Sequence, residues 1–236
     1  MLIDVFGVRI HSYTRAEIQQ RLQAALAGRQ ARQLVTINPE FLLEARRNQT
    51  SRDVLNRADL AVADGFGLIL LAALKGVKLE RVTGADVVPW LIKNANSERL
   101  AVINWRGGLS RAEDIKAVIK KLNPKLTAEV WQLERGAKLP FDFYQFEPTV
   151  ALISLGAPWQ DLLAAELKTN LAGLKLVAGV GGSFDFLTGQ VKRAPKILRA
   201  LGLEWLWRLK QQPGRWRRII KAVVIFPLLA IFNNKK

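Results

Sequence analysis

The sequence predicts an α/β fold: a Rossmann-like, largely parallel sheet flanked by helices, with a basic, Trp-rich helical C-terminal appendage. Three observations predict it. Short apolar runs alternate with helical patterns between residues 34 and 180, the rhythm of strand-turn-helix units in a parallel sheet. Each run ends in a polar or glycine-bearing turn. The composition then shifts near Lys192. The core is therefore placed at residues 1–191 and the appendage at 192–236.

Taken in order, Leu34-Val35-Thr36-Ile37 reads as a strand. Asn38-Pro39-Glu40 then opens a helix, with Asn as N-cap, Pro at the first helical position and Glu at the positive helix end. Leu60 to Ala63 leads to Asp64-Gly65 and a helix reaching about Lys75. Leu100 to Asn104 leads through Arg106-Gly107-Gly108 to a helix from Ser110 to about Leu122. Val150 to Leu155 leads through Gly156-Ala157-Pro158 to a helix ending near Thr169, and Leu174 to Val180 leads to Gly181-Gly182.

The appendage holds twelve Lys or Arg and a single acid, Glu204, a net +11 of the chain's +16. It also carries Trp205, Trp207 and Trp216, then the apolar run Ala222 to Phe232. Cations beside tryptophans and a short apolar run suit an anionic membrane surface. The run is shorter than the roughly twenty residues of a spanning helix and contains Pro227, so it is expected to lie on a bilayer. The same run could instead pack on the protein's own core. Exposed, it would drive self-association into a homo-oligomer when no membrane is present. Nucleic acid is disfavoured, because no zinc-finger spacing and no ribonucleoprotein-type aromatic motif accompanies the charge.

There is no cysteine, which excludes disulfides and thiolate metal sites. The single histidine, His11, cannot build a zinc cluster or a His-dependent triad unaided, and an ordinary exposed side chain is expected. The N-terminus lacks the basic and long apolar regions of a signal peptide, so a cytoplasmic protein, peripheral on the inner face of the membrane, is expected.

In a parallel sheet the turns named above converge on one edge, where ligands of such sheets bind. Asp64 would stand there as a general base, or serve as a turn or N-cap aspartate. Gly181 and Gly182 would cradle phosphate on backbone N–H groups or make a tight turn, and Asp185 follows as a second ligand-facing acid or a helix cap. No D-x-D pair lies near these turns, so no metal site and no cofactor are expected. Arg81, Arg193, Arg208, Arg215, Arg217 and Arg218 are the alternative partners for a diphosphate, or contacts for lipid head groups.

In sequence order these motifs resemble the bacterial N-acetylmannosaminyltransferase family of wall teichoic acid and enterobacterial common antigen synthesis. The residues that carry the resemblance are Thr36-Ile37-Asn38-Pro39-Glu40, Ala63-Asp64-Gly65-Phe66-Gly67, Arg81-Val82-Thr83-Gly84-Ala85-Asp86, Gly156-Ala157-Pro158-Trp159-Gln160, Val180-Gly181-Gly182-Ser183-Phe184-Asp185-Phe186, Arg193-Ala194-Pro195 and Gly202 to Leu209. The resemblance implies an inverting, metal-independent transfer from a UDP-sugar donor, typically UDP-N-acetylmannosamine, to undecaprenyl-diphosphate-linked N-acetylglucosamine. It implies Asp64 as the base, with Thr36, Asn38, Arg81 and Gln160 lining the pocket. It also implies that the appendage meets the membrane and brings arginines, here Arg208, Arg215 and Arg218, over the donor diphosphate. Two departures leave the donor sugar open: Trp105-Arg106 where small residues are usual, and the stretch Ala137 to Phe146. A same-fold transferase with another nucleotide sugar, and a non-catalytic membrane-surface protein, remain the alternatives.

Overall fold

The computed structural model describes residues 2–96 and 98–232. The chain opens with an antiparallel hairpin of β1 (Leu2–Val5) and β2 (Val8–His11). Its turn, Phe6-Gly7, has positive φ at both residues, 57° and 78°, the mirror-image geometry that matches strand twist. A capping box of Thr14 and Glu17 starts α1 (Arg15–Ala27). β3 (Arg32–Ile37) runs into Asn38, whose side chain accepts from the N–H groups of Glu40 and Phe41 and starts α2 (Pro39–Arg47). Then follow α3 (Gln49–Arg57), β4 (Leu60–Ala63), α4 (Phe66–Leu74) and α5 (Gly84–Asn94). β5 (Arg99–Trp105), α6 (Ala112–Leu122), β6 (Thr127–Leu133), α7 (Phe141–Gln145), β7 (Val150–Ser154), α8 (Trp159–Asn170), β8 (Leu176–Gly179) and α9 (Ser183–Leu187) complete this part.

Six strands form one sheet in the order β4-β3-β8-β7-β5-β6, and every neighbouring pair is parallel. The inner strands are buried along nearly their whole length, the continuous apolar pattern of a sheet covered on both faces. One face packs on α1, α5, α6 and α9, with Leu22, Leu91, Ile115 and Phe184 against Leu34, Val102 and Leu152. The opposite face is covered by the hairpin, α2 and α4 at one end and by α7 and α8 at the other.

The strands read from the sequence all form, and β6 joins them at the sheet edge. Its residues are partly exposed along the whole length, so it lacks the apolar run that marks the buried strands. His11 departs from the expected exposed side chain. Its ring is half-buried, stacks on Tyr13 at 4.8 Å, and its Nδ1 lies 3.1 Å from the Ala61 N–H, tying β2 to β4. Burial holds its pKa below the ordinary value, opposed by the hydrogen bond to Ala61.

Beyond Lys192 the chain folds as α10 (Lys196–Ala200), α11 (Glu204–Gln211), a 3-10 turn (Pro213–Arg215), α12 (Trp216–Ile220), a π turn (Lys221–Ile225) and α13 (Phe226–Phe232). The π turn lies immediately before Pro227, whose ring would clash with a regular α-helical carbonyl one turn back; widening the helix there relieves the clash. Phe226 and Ala230 are buried, and the Phe226 ring meets Phe6 edge-on at 5.9 Å. Val224, Leu228, Ile231 and Phe232 stay exposed, as do Leu70 and Leu74 of α4, the helix on which α13 packs. Of the two placements the sequence left open, packing on the core holds for one edge of the run, while its other edge faces outward. No helix among the described residues is long and apolar enough to cross a membrane.

Candidate active site

Every strand of the sheet delivers a residue to a crevice of about 580 Å³ at its carboxyl edge. Thr36 and Asn38 come from β3, Asp64 from β4, Asn104 and Trp105 from β5, Arg135 from the end of β6, Ser154 from β7, and Gly181-Gly182 from β8. The appendage forms the opposite wall with Glu204, Arg208, Arg215, Arg218, Ala222 and Val223.

Asp64 is fixed by its backbone. Its N–H donates to the Ile37 carbonyl at 2.8 Å and its carbonyl accepts from Arg81 Nε at 2.9 Å. The N-cap of α4 is Gly65, so the Asp64 carboxylate is not spent on capping. Its side chain is 26% exposed and lies 3.9 Å from an Arg81 terminal nitrogen. Desolvation pushes its pKa up to about 6; Arg81 opposes the rise and Glu204 reinforces it. A carboxylate poised near neutrality at a sheet edge suits a general base.

Arg81 also donates to Glu204 Oε2 at 2.7 Å, so one guanidinium joins the core carboxylate to the appendage. Glu204 was legible in the sequence as the only acid among twelve cations, yet that reading gave it no role. The stretch Arg81 to Asp86 docks the appendage a second time, through Arg193, which donates to Thr83 Oγ1 at 3.2 Å and Asp86 Oδ1 at 2.7 Å. Burial tends to raise the Asp86 pKa, but the hydrogen bonds from Arg193 and Thr83 hold it below the ordinary value. Gly84 instead packs α5 on the loop after β8: a Cβ there would sit 2.8 Å from the Val180 carbonyl oxygen, so only glycine lets α5 approach this closely.

Gln160 is buried and organises the floor. Its Oε1 accepts from the N–H groups of Gly156 at 3.1 Å and Gly181 at 3.0 Å. This corrects the expected phosphate cradle, because the Gly181 N–H is already engaged. The Gly182 N–H carries no hydrogen bond among the described residues. Asp185 is not the N-cap of α9, a position held by Gly182; its Oδ1 accepts from Ser110 Oγ at 2.8 Å. Thr36 is buried, with its hydroxyl 3.4 Å from the Gly179 carbonyl, and Asn38 combines its place on the wall with the α2 cap.

The arginines divide into paired and unpaired. Arg218 forms a two-pronged contact with Glu40, with Nε 3.0 Å from both carboxylate oxygens. Arg208 rests on the Phe186 ring at 4.6 Å, close over Gly182, and its buried Nε has no partner among the described residues. Among the described residues the Arg215 side chain bonds only to the Gln212 amide oxygen, at 2.8 Å. Neither Arg208 nor Arg215 has a carboxylate within 4 Å among the described residues. Burial lowers the pKa of both, that of Arg215 to about 10 with help from Arg208 and Arg218. Desolvated guanidinium groups without a direct ion-pair partner, on the wall of a crevice, are chemically suited to an anion. Arg193 and Arg217 do not line it: Arg193 docks the appendage, and Arg217 lies over the Trp216 ring at 5.2 Å.

Of the two departures noted in the sequence, only one faces the site. Trp105 lines the crevice with Arg135 over its ring at 3.9 Å, whereas Arg106 donates to the Gln132 carbonyl. The stretch Ala137 to Phe146 packs Phe143 and Phe146 on Trp131, at 5.1 and 5.6 Å, and does not line the crevice. Arg135 itself gave no sequence signal, since it follows the unread strand β6.

A desolvated carboxylate opposite guanidinium groups at the carboxyl edge of a parallel sheet is the site of an α/β enzyme. The sequence matches the Glycosyl transferase WecG/TagA/CpsF family over residues 3–236, and the chain belongs to that family. It is a glycosyltransferase. Among its curated relatives is the N-acetylglucosaminyldiphosphoundecaprenol N-acetyl-beta-D-mannosaminyltransferase of Bacillus spizizenii, 28% identical over 191 residues, covering 79% of this chain and 74% of the relative. The protein of the same name from Bacillus subtilis is 28% identical over 192 residues, covering 78% and 73%.

Proposed function

We propose that the protein transfers N-acetylmannosamine, with inversion, from a UDP-sugar to an undecaprenyl-diphosphate-linked N-acetylglucosamine at the inner face of the cell membrane. The observation that carries the reading is the opposition of Asp64 to Arg208 and Arg215 across one crevice. The names of the two Bacillus relatives supply the sugar and the acceptor.

In the proposed step, the Asp64 carboxylate takes the proton from an acceptor hydroxyl. The freed oxygen attacks the anomeric carbon, and the bond to the UDP oxygen breaks with its electron pair leaving on UDP. Arg208, Arg215 and the Gly182 N–H face the charge that develops there. Such prepositioned electrostatic stabilisation is usually the largest catalytic term. Arg81, held between Asp64 and Glu204, keeps the base ionised enough to act near neutral pH. The guanidinium groups supply the positive charge that a divalent cation gives other transferases, which supports a metal-independent reaction. The membrane side of the reading rests on the outward apolar edge of residues 223–232, which continues from the crevice wall at Ala222 and Val223.

The test is turnover by the purified chain on a lipid-diphosphate N-acetylglucosamine acceptor with a panel of nucleotide sugars, with and without EDTA. UDP-N-acetylmannosamine should give a disaccharide of inverted anomeric configuration, unaffected by chelator. The rate should fall as pH drops through about 6, because the base must be deprotonated. Preference for another nucleotide sugar would show that the Trp105–Arg135 wall selects a different donor. Loss of activity in EDTA with recovery in Mg²⁺ would overturn the arginine account.

A further inference from the structure

At the C-terminal end of α4, the end away from the crevice, lies a notch of about 540 Å³ that the reaction does not use. It surrounds the β1–β2 turn, and its side chains include Arg46 of α2, Arg52 of α3 and Lys75 at the end of α4. None of the three lies within 4 Å of a carboxylate among the described residues. The one acid there, Asp4, accepts from the Gly7 N–H at 2.9 Å. Lys75 Nζ reaches the Asp4 carbonyl at 3.4 Å, and a Cβ on Gly7 would lie 3.2 Å from Arg52 Cδ. Arg46 stands over the Phe6 ring at 5.7 Å. Phe6 adopts a left-handed φ of 57°, a conformation unfavourable for a bulky residue. That conformation sets its ring between Arg46 and the buried Phe226 of the appendage.

The position of the notch identifies its occupant. Leu71 and Ala230 form part of its lining, and their helix neighbours Leu70, Leu74 and Ile231 are 54%, 70% and 54% exposed. Cations therefore stand beside the apolar side chains that would enter a bilayer, at the level where head-group phosphates lie. We infer that the notch formed by Arg46, Arg52 and Lys75 binds the phosphate of an anionic phospholipid and fixes the enzyme's orientation on the bilayer. The inference rests on the proposed membrane attachment. It adds a defined phosphate site to an otherwise diffuse attraction.

The full chain and its R46K/R52K variant should be compared on vesicles of phosphatidylcholine alone and on vesicles in which about a fifth of the lipid is phosphatidylglycerol. The variant keeps every charge but loses the planar, bidentate guanidinium groups. On anionic vesicles its affinity should fall about tenfold, because the bidentate guanidinium–phosphate hydrogen bonds are lost although the charge is kept; on neutral vesicles the two proteins should match. Equal affinity on anionic vesicles would overturn the site and leave only general attraction. Wild-type protein that ignores both vesicles would instead overturn the membrane reading itself. With wild type alone, soluble glycerol 3-phosphate should compete for anionic vesicles. If it raises the melting temperature without weakening vesicle binding, the ligand is a free phosphate and the lipid assignment fails.

Discussion

The core side of the crevice and the appendage hold their polar groups by different means. On the core side, Asp64 and Gln160 are placed by strand ends and by hydrogen bonds to neighbouring backbone. On the appendage side, Arg208 and Arg215 stand on short helices joined to the core by ion pairs, Arg81–Glu204, Arg193–Asp86 and Arg218–Glu40, and by one buried ring, Phe226. Backbone placement survives changes of salt and side chain, whereas partly exposed ion pairs are individually weak and screened. The comparison teaches that the base is built into the fold and that the charge-stabilising wall is docked onto it.

The largest effect should come from the core half. Asp64→Asn should reduce turnover about 10²–10⁴-fold, the usual value of a general base, while UDP binding measured by calorimetry stays near wild type. A variant retaining more than about a tenth of the rate would remove Asp64 from that role. Next, Arg208→Ala should lower kcat about 10²–10³-fold even on a short soluble acceptor, the cost typical of losing one electrostatic donor. If kcat held and only vesicle binding weakened, Arg208 would be a lipid contact and the two halves would not share the chemistry.

The appendage itself can be split. Phe226→Ala should destabilise the fold by about 3–5 kcal/mol, the range for deleting a fully buried ring, read as a drop in melting temperature. Ile231→Ser with Phe232→Ser should leave stability within about 0.5 kcal/mol, as exposed substitutions do, yet weaken binding to vesicles. Equal stability losses in the two variants would show that the outward edge is core as well. The last effect is one of pH and concerns Asp161, buried beside Gln160 with no hydrogen bond to either carboxyl oxygen among the described residues. Burial raises its pKa to about 8, with the Gln160 side chain opposing. A raised carboxyl pKa means that the folded state holds the proton longer than the unfolded state. This contribution to stability is therefore full at acidic pH and is lost as pH rises towards about 8. Asp161→Asn should flatten that part of the melting profile; an unchanged slope would assign it to other groups.

Much of this was legible before the structure because buried parallel strands announce themselves as apolar runs ending in turns. That pattern placed Thr36, Asn38, Asp64, Gln160 and Gly181 on one edge, and they do meet there. Edge strand β6 and Arg135 after it were not legible, since half-exposed residues carry no continuous apolar signal. Nor was the pairing of Arg81 with Glu204, 123 residues apart, because no local pattern encodes which cation meets the appendage's lone acid. The engagement of Gly181 by Gln160 escaped for the same reason: a glycine pair reads alike whether its N–H groups are open or taken.

One wall of the crevice, at Ala222 and Val223, passes directly into the outward apolar edge of the same helix. On the proposed reading, the lipid-borne acceptor therefore never has to leave its leaflet to reach Asp64, because the catalyst comes to the surface. Encounter then becomes a search in two dimensions. The rate should follow the number of acceptor molecules per unit area of bilayer, and dilution of the same vesicles in more buffer should leave the bound enzyme's turnover untouched.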